Sequence, residues 1–465
     1  MLLKESYSVM MMPFSIDTAR WQRDENSMWT PAEIKVENDV LYSHIQDWMQ
    51  AGACSANRER IAHRAQNFDI FTVRANADDD TLKQRVSTFR KLLSKRWRLE
   101  KKSIDFAWVN KEAELLSPKL LVNTYSGMGM LLLTFQMAPT HMTVEHLMDF
   151  NYAIHKIDRQ APLCVPALDM DKAHPRQVED YVQTAQAISG DDAGWTLPQL
   201  TEWLLADFDG AYHRFNESRL HVFTYYRTDS SEADEESRKN FARIFRVENN
   251  NYDVRCDIAD GYTLHTFNNI QVGVTVQGGA MMTMTTAADD DPKQGSNHLL
   301  NFGKTAFCKR YLWIYVMTLL QRYTLLRMTQ ELTAIELNQE DRSLAMLQQM
   351  VERLTTLKVT TYFTDISDFT QHNEFYAFCA ERLAVKTHFN EINEKMELLH
   401  TVIDGRKSER EEQKNDRLTI ILAILTVASA TCDTIDVLSG EHPRMGITMA
   451  IALVAVLFYV WNKRK

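Results

Sequence analysis

The chain has 465 residues and a mass of 53.9 kDa, which is too long for one ordinary domain and predicts two or three folding units. Its net charge of −10 argues against nucleic acid as the main partner, and no direct nucleic-acid binding is expected. The six cysteines lie far apart, without a CxxC pair or a Cys/His cluster, which argues against a disulfide framework and against a zinc site.

The hydropathy of the chain predicts a large water-exposed body with a small membrane part, because its mean hydropathy is −0.34. The N-terminal stretch MLLKESYSVMMMPF carries Lys4 and Glu5 inside its apolar run and has no small-residue cleavage site. It is therefore expected to belong to the fold and not to act as a signal peptide, which leaves the bulk of the protein on the cytosolic side.

The first hundred residues predict two helices with a strand between them. A capped amphipathic helix is expected over 30–52, and the alternating, β-branched stretch 69–75 predicts a strand. The stretch 81–103 predicts a strongly basic helix, which is either an ordinary solvated face or a contact for an anionic ligand or phospholipid. The candidates for contact with a nucleotide in this stretch are Arg90, Lys91, Lys95, Arg96 and Trp97.

A buried strand is predicted over 130–137, followed by a helix over 143–156. His141, Glu145 and His146 are close in sequence and suggest a metal site, but no third ligand is evident on one helix face. Capping and packing are the alternative interpretation of these three residues.

The next stretch predicts a helix over 196–208, a strand over 219–228 and an acidic surface loop over 229–237. From 252 to 286 the chain alternates as β-hairpins do, with turns at the Asp-Gly and Asn-Asn pairs near positions 260 and 268. Strands and helices thus mix over residues 1–285, which predicts an α/β or α+β domain.

A linker rich in Asp, Pro, Gly and Ser is predicted over 287–298, and the chain after it is expected to be almost wholly helical. The apolar stretch 309–328 carries Gln321 and Arg322 near its middle, so it predicts a buried bundle helix and not a membrane span.

A second helix is predicted over 341–359. A third begins near residue 373 and is expected to continue to about residue 437, with Gly405 as its weak point. Its apolar residues are spaced as in an oligomer seam: Phe389, Ile392, Met396, Leu399 and Ile403.

The C-terminal residues predict two membrane spans, 418–437 and 445–461, joined by a short outer loop that carries Glu441. Basic residues precede the first span and follow the second, so both termini are expected in the cytoplasm. A stripe of residues, polar except for Leu422, recurs at the entry to the first span and along it at intervals of 4 and 3. This spacing places them on one helix face, as expected for the lining of a pore: Asn415, Thr419, Leu422, Thr426, Ser429, Asp433 and Asp436.

The sequence NDRLTIILAIL at the entry to the first span, the short outer loop, the second span and the Lys-Arg tail resemble the CorA family of divalent-cation channels. The resemblance implies a homopentamer in the lipid bilayer, with an N-terminal α/β cytosolic domain, long funnel helices and a pore lined by the first span. The family's Gly-Met-Asn signature is absent, because Asp436, Val437 and Leu438 stand at that position. Rings of Asp433 and Asp436 would favour cations there, whereas the alternative is that both merely solvate the helix end.

The predicted function is a gated channel that resembles the CorA-like membrane effectors of CRISPR type III antiviral defence, in which a nucleotide second messenger opens the pore. The alternative is a magnesium, cobalt or nickel transporter with an altered selectivity filter. An enzyme is not expected, because the chain has no GxSxG, HExxH or phosphate-binding glycine loop, and a surface turn explains Asp169, Asp171 and His174.

The predicted fold class is therefore an α/β or α+β cytosolic domain, followed by a helical bundle, a long stalk helix and a transmembrane hairpin. The expected domains are a ligand-sensing domain over 1–298, the bundle and stalk over 299–417 and the hairpin with its basic tail over 418–465. The expected location is the inner membrane. No covalent cofactor is expected; the expected ligands are a nucleotide and a divalent cation such as Mg²⁺, for which no ligating residues are identified.

Overall fold

The structure is a computed structural model. It describes residues 2–17, 27–32, 69–74, 82–87, 96–99, 113–123, 126–137, 142–156, 163–167, 195–229, 234–255, 260–285, 298–334, 340–361, 363–402 and 415–420, apart from single positions inside these ranges, together with a few isolated residues.

Contacts within the chain divide it into two compact units. The first comprises Met1–Gln330 and Glu352–Ile392, and the second comprises Glu331–Val351 and Asn393–Lys465. Every strand, and the cavity described below, belongs to the first unit. The domain boundaries expected at 298 and 417 stay predictions.

The first unit is built on one mixed sheet of 14 strands. The strands are β1 (Leu3–Ile16), β2 (Trp29–Pro31), β3 (Asp69–Val73), β4 (Arg96–Leu99), β5 (Ala113–Leu115), β6 (Lys119–Asn123), β7 (Met128–Met137), β8 (Leu163–Ala167), β9 (Trp195–Thr196), β10 (Tyr212–Arg214), β11 (His221–Thr228), β12 (Thr263–Phe267), β13 (Ile270–Val274) and β14 (Gly278–Met284). The main path runs β12-β13-β14-β11-β1-β7-β5-β4-β8-β9, while β10 pairs with β1 and the β2-β3-β6 ribbon joins β7.

The long strands β1 and β7 form the centre of the sheet. They pair antiparallel from Tyr7 opposite Gln136 to Ser15 opposite Met128, and β11 pairs antiparallel with the other side of β1. The pair β11 and β14 is parallel, with Val222 opposite Gly278, so both strands begin at the same end of the sheet. Continuous apolar runs in β1, β7 and β11 suit strands that are covered on both faces.

Side chains alternate between the two faces of a strand, and each face of this sheet is covered by helices. One face packs against α1 (Val144–Ile154), α2 (Leu197–Leu204) and α3 (Glu235–Phe245) in a single apolar core. Within that core Phe135 of β7 meets Phe150 of α1 edge to face, with ring centroids 5.6 Å apart.

The opposite face carries aromatic stacks against a π-helical segment (Gly303–Tyr311) and α4 (Leu312–Thr333). Phe223 of β11 lies flat on Tyr315 of α4, with ring centroids 4.0 Å apart and planes 4° apart. Two further helices follow, α5 (Glu340–Thr361) and α6 (Thr370–Arg382), and residues 385–402 are also helical.

Several predicted elements are present. The strands predicted over 69–75, 130–137 and 219–228 correspond to β3, β7 and β11, and the predicted helices 143–156 and 196–208 contain α1 and α2. The hairpin region contains β12, β13 and β14. The linker predicted over 287–298 lies outside the described residues except for its last position.

One predicted helix was wrong, a second was correct only at its start, and one predicted loop extended too far. Thr30, the expected helix start, lies in β2. The basic helix expected over 81–103 is helical at 82–84 and 86–87, but the same stretch also contains β4, whose backbone pairs with both β5 and β8. The predicted acidic loop ends in the first turn of α3. Asp234 caps that helix by accepting a hydrogen bond from the Ser237 amide at 2.7 Å, so the acidic residues stabilise a helix start.

The long stalk helix is interrupted before the position at which the sequence predicts weakness. The chain turns at Leu383, and Ala384 has a φ of +54°, which a helix does not contain. Arg322 of α4 donates to the Leu383 carbonyl at 2.5 Å, which occupies a carbonyl group at the end of α6. Gly405 is helical, whereas Phe389 and Ile392 of the predicted oligomer seam are buried within the single chain.

The predicted fold class is wrong in its transmembrane hairpin. Crossing the hydrocarbon layer takes about 20 apolar residues, and no helix in the described ranges is long and apolar enough. The apolar run of the 22-residue α4 is interrupted by Gln321 and Arg322, as the sequence predicts for this buried helix. The finding also overturns the inner-membrane location, with two spans and cytoplasmic termini, and the description as a membrane protein or ion channel. The predicted spans 418–437 and 445–461 lie outside the described residues beyond position 420.

Candidate functional site

A cavity of about 360 Å³ opens at the end of the sheet where the parallel strands β11 and β14 begin. Its wall is formed by the C-terminal end of α1, the loop before β11, the turn after α3, the β13–β14 turn and one residue of α4. Cavities of about 300–1,000 Å³ are typical of small-molecule sites, so the volume suits a compact ligand.

Two basic residues are brought together by the backbone at this cavity. Lys156, just past α1, and Arg219, just before β11, form an isolated antiparallel bridge. The Leu220 amide donates to the His155 carbonyl at 2.6 Å, which ties the same two segments together. Asn216 shapes the loop before β11, because its Oδ1 accepts from the Arg219 amide at 3.1 Å. Residues 63 positions apart in the sequence therefore lie side by side.

The cavity carries an excess of positive charge. Three basic side chains line it, those of Lys156, Arg219 and Arg246, against the single carboxylate of Glu248. Arg246 and Glu248 pair with each other at 3.2 Å from Nε to Oε1. Among the described residues, no carboxylate forms an ion pair with Lys156 or Arg219. Two uncompensated cations at a cavity wall favour an anionic ligand.

Aromatic side chains lie beside these cations. The rings of Tyr152 and Tyr252 have centroids 6.3 Å apart and planes inclined at 57°, and Tyr323 of α4 also lines the cavity. Lys156 Nζ lies 3.8 Å from the centroid of the Tyr152 ring. Tyr252 is 47% exposed, so its ring is open to a ligand, and Arg243 Nε holds its carbonyl at 2.9 Å.

The charge of Lys156 also acts on the Tyr152 hydroxyl. A hydrogen bond with Lys156 is the main cause that lowers the pKa of Tyr152, and a hydrogen bond with Tyr252 adds to it. The pKa of Tyr252 is raised, first by its hydrogen bond with Tyr152. The two tyrosines and the lysine thus form one interacting group on the cavity wall.

The two histidines at the cavity are neutral. Burial lowers the pKa of His155 to about 4 and the pKa of His221 to about 3, because an imidazolium loses its hydration inside the protein. His155 Nδ1 contacts the Asn151 carbonyl at 3.1 Å, and His221 Nε2 is hydrogen-bonded to the Tyr315 hydroxyl. They contribute shape and hydrogen bonds, and the positive charge comes from Lys156, Arg219 and Arg246.

The side chains of the residues predicted to contact a nucleotide lie outside what the structure describes. Arg90, Lys91 and Lys95 lie outside the described residues, while Arg96 and Trp97 belong to β4, of whose side chains nothing is described. These assignments stay predictions.

The pore stripe is described only at its start. Asn415 and Thr419 lie on a helical segment, where Thr419 Oγ1 donates to the Asn415 carbonyl at 2.8 Å. A hydroxyl that bonds back to its own helix in this way needs no pore to explain it. The remaining predicted residues lie outside the described part of the chain: Leu422, Thr426, Ser429, Asp433, Asp436 and Glu441.

The suspected metal cluster near α1 has structural partners. His146 Nδ1 accepts from the Thr143 amide at 3.0 Å, and Glu145 Oε1 accepts from Asn240 Nδ2 at 3.3 Å. His141, like Asp169, Asp171 and His174, lies outside the described residues. Within the described ranges, no group of three His, Cys, Asp or Glu side chains is placed to hold a metal ion.

Sequence reasoning missed the cavity residues because they share no local motif. Lys156, Arg219 and the pair Arg246 and Tyr252 come from three separate segments, and each segment looks like the ordinary polar end of an element. The one available signal was position, since Lys156 and Arg219 end and begin predicted elements that prove to be neighbours.

Comparison with known proteins gave no match to any family model, curated protein or solved structure. The resemblance to the CorA family therefore stays a prediction.

Proposed function

We propose that this protein is a ligand sensor that binds a small anionic ligand of the nucleotide type in the cavity at the start of β11 and β14. One observation carries the proposal. Lys156 and Arg219 lie side by side at the cavity without a carboxylate partner among the described residues, next to the rings of Tyr152 and Tyr252.

The chemistry of these side chains matches the two ends of a nucleotide. Guanidinium and ammonium groups donate charge-assisted hydrogen bonds to phosphate oxygens, and an arginine can do so through two parallel N–H groups. A base stacked on an aromatic side chain gains about 1–3 kcal/mol. Lys156 and Arg219 thus bind the phosphate, while the base stacks on the exposed ring of Tyr252.

This proposal retains the ligand-sensing part of the predicted function and assigns it to a different place in the chain. The expected homopentamer, the role in CRISPR type III defence, the divalent-cation alternative and the absence of enzymatic activity stay predictions that depend on the CorA resemblance or on sequence motifs.

The direct test is calorimetric titration of the purified full-length chain with ATP, with a cyclic triadenylate and with inorganic triphosphate. Both adenine compounds are expected to bind more tightly than inorganic triphosphate, because only they offer a ring to the tyrosines. Lys156→Gln and Arg219→Gln are each expected to weaken binding by about tenfold or more, the range for a hydrogen bond to a charged group.

The matched control is Arg238→Gln, which removes an exposed arginine of α3 that forms no ion pair among the described residues. It is expected to leave the affinity unchanged. The proposal fails if neither adenine compound binds at millimolar concentration, or if Lys156→Gln and Arg219→Gln bind as the parent does.

A further inference from the structure

The cavity contains one acidic side chain in an otherwise basic wall. Glu248 has only 19% of its side chain exposed, and its Oε1 accepts from Arg246 Nε at 3.2 Å. Its second oxygen, Oε2, has no hydrogen-bond donor among the described residues. A carboxylate with one oxygen engaged retains the lone pairs of its other oxygen as acceptors for a further N–H group.

The turn that presents this carboxylate is strained. Val247 has a φ of +57°, a conformation that is costly for a β-branched residue. Its amide donates to the Ile244 carbonyl at 3.0 Å, and the Glu248 amide donates to the Arg243 carbonyl at 2.8 Å. A Cβ added to Gly278 would fall 2.6 Å from Val247 Cγ2, so the β13–β14 turn closes tightly over the same residue. The surrounding structure holds Arg246 and Glu248 at the cavity despite the strain.

Glu248 lies near the proposed stacking surface. Its negative charge contributes to the raised pKa of Tyr252, after the larger effects of the Tyr152 hydrogen bond, the Tyr152 charge and burial. Arg219 acts on the same hydroxyl in the opposite direction. Arg219, Tyr252 and Glu248 line the same cavity of about 360 Å³, so a base that rests on Tyr252 with its phosphate toward Arg219 shares this cavity with the carboxylate.

We propose that Glu248 selects the base, because its Oε2 accepts a hydrogen bond from an exocyclic amine of the ligand. This inference rests on the proposed nucleotide site and adds a preference for amino-bearing bases to it. A base with hydrogen in place of the amine leaves the carboxylate without this donor. A base with a carbonyl oxygen at the same position meets it with like partial charge.

The test compares ATP with purine riboside 5′-triphosphate, which differs only by hydrogen in place of the 6-amine. In titrations of the full-length chain at pH 7.5, ATP is expected to bind about tenfold more tightly, as for a hydrogen bond to a charged group. Glu248→Ala is expected to bring the ratio of the two dissociation constants to about one. Glu248→Gln retains a neutral acceptor and is expected to give a smaller ratio than the parent.

The ratio is the informative quantity, because removal of Glu248 also frees Arg246, and the effect of the freed Arg246 on the triphosphate group is the same for both compounds and cancels in the ratio. Glu202→Ala, which removes an exposed carboxylate of α2, is the control and is expected to leave the ratio unchanged. Equal binding of both compounds by the parent, or a ratio unaffected by Glu248→Ala, overturns the inference while the nucleotide site stands. Failure of the parent to bind either compound overturns the site itself.

Discussion

Two regions along β11 hold polar side chains in different surroundings, one at an open cavity and one inside the packed interior. At the start of β11, His221 lines the cavity, where Lys156 and Arg219 have no carboxylate partner in the described part of the chain. Four residues further along the strand, Tyr225 belongs to a buried polar cluster (Glu5, Tyr7, Tyr225, Thr283 and Cys308). There the Tyr7 hydroxyl donates to Glu5 Oε1 at 3.1 Å, and the Tyr225 hydroxyl meets Thr283 Oγ1 at 2.8 Å.

The difference shows how a structural polar cluster is told from a binding site. Burial raises the pKa of Cys308 to about 12 and the pKa of Glu5, so the buried cluster favours neutral forms. At the cavity, by contrast, basic side chains lie beside open volume. Polar groups that bond to one another inside the packing stabilise the fold, whereas charges that face a cavity without partners are available to a ligand.

The largest effect on stability is expected from a substitution of Phe223, which lies between His221 and Tyr225 in β11. Phe223 is fully buried between Tyr315 and Phe307, with ring centroids 4.0 and 5.3 Å away. Phe223→Ala is expected to lower the free energy of unfolding by about 3–5 kcal/mol, because it leaves a cavity within the aromatic stack. Urea denaturation at pH 7.5 measures this loss. Phe223→Leu fills most of the volume and is the control; a loss below about 1 kcal/mol for alanine would contradict the stacking.

The buried polar cluster leaves no room for an added side-chain atom at the neighbouring Gly303. A Cβ on Gly303 would lie 2.5 Å from Tyr225 Cε1 and 2.8 Å from Glu5 Cδ. Gly303→Ala is expected to cost about 1–3 kcal/mol of stability by overpacking. Gly405→Ala is the matched control, since that glycine is helical with nothing within 4 Å of an added Cβ. It is expected to stabilise slightly, and a comparable loss at both positions would contradict the close approach.

The buried His221, at the cavity, is expected to make the protein less stable in acid. The pKa of His221 is lowered to about 3 from its ordinary 6.5, so the unfolded chain binds a proton that the native chain excludes. Stability is therefore lost as the pH falls below 6.5, by about 1.4 kcal/mol at pH 5.5 for this one residue.

The difference in unfolding free energy between pH 7.5 and 5.5 tests this expectation. His221→Gln is expected to reduce that difference by about 1.4 kcal/mol, while His265→Gln, on the exposed edge strand β12, serves as the control. An unchanged difference in the His221 variant would mean that the native protein accepts the proton.

The sequence predicted the interior of the sheet better than the site. Long apolar runs gave β7 and β11 correctly, because burial on both faces leaves a strong local pattern. The acidic stretch before α3 was predicted as a loop, although Asp234 followed by acidic residues is also a helix start signal. The interrupted stalk helix was not predictable from residue type, because Ala384 favours helices and its positive φ depends on tertiary contacts.

The cavity was beyond sequence reasoning for a related reason. A run such as 90–97 concentrates basic and aromatic residues in one local stretch and therefore attracts a functional interpretation. The residues that meet in space, Lys156, Arg219 and Tyr252, are isolated in sequence and are joined only by the pairing of α1, β11 and the turn after α3. Topology, and not composition, creates the charge excess.

Glu5, in the buried polar cluster, is expected to affect the pH dependence of stability in the opposite sense to His221. Its effect is the smallest of those predicted. Burial is the main cause that raises the pKa of Glu5, against weaker opposing effects of Tyr7 and Arg227. A raised carboxyl pKa contributes stability below its ordinary value of 4.5, and this is lost as the pH rises through the native value. Glu5→Gln retains an acceptor for Tyr7 and is expected to stabilise the protein at pH 7 by less than about 1 kcal/mol, because part of the carboxyl is solvated. The gain should vanish at pH 4, and thermal denaturation at the two pH values measures it. Destabilisation at pH 7 would instead show that Glu5 is ionised and paired with its basic neighbours, which would contradict the neutral form expected for it in the buried polar cluster.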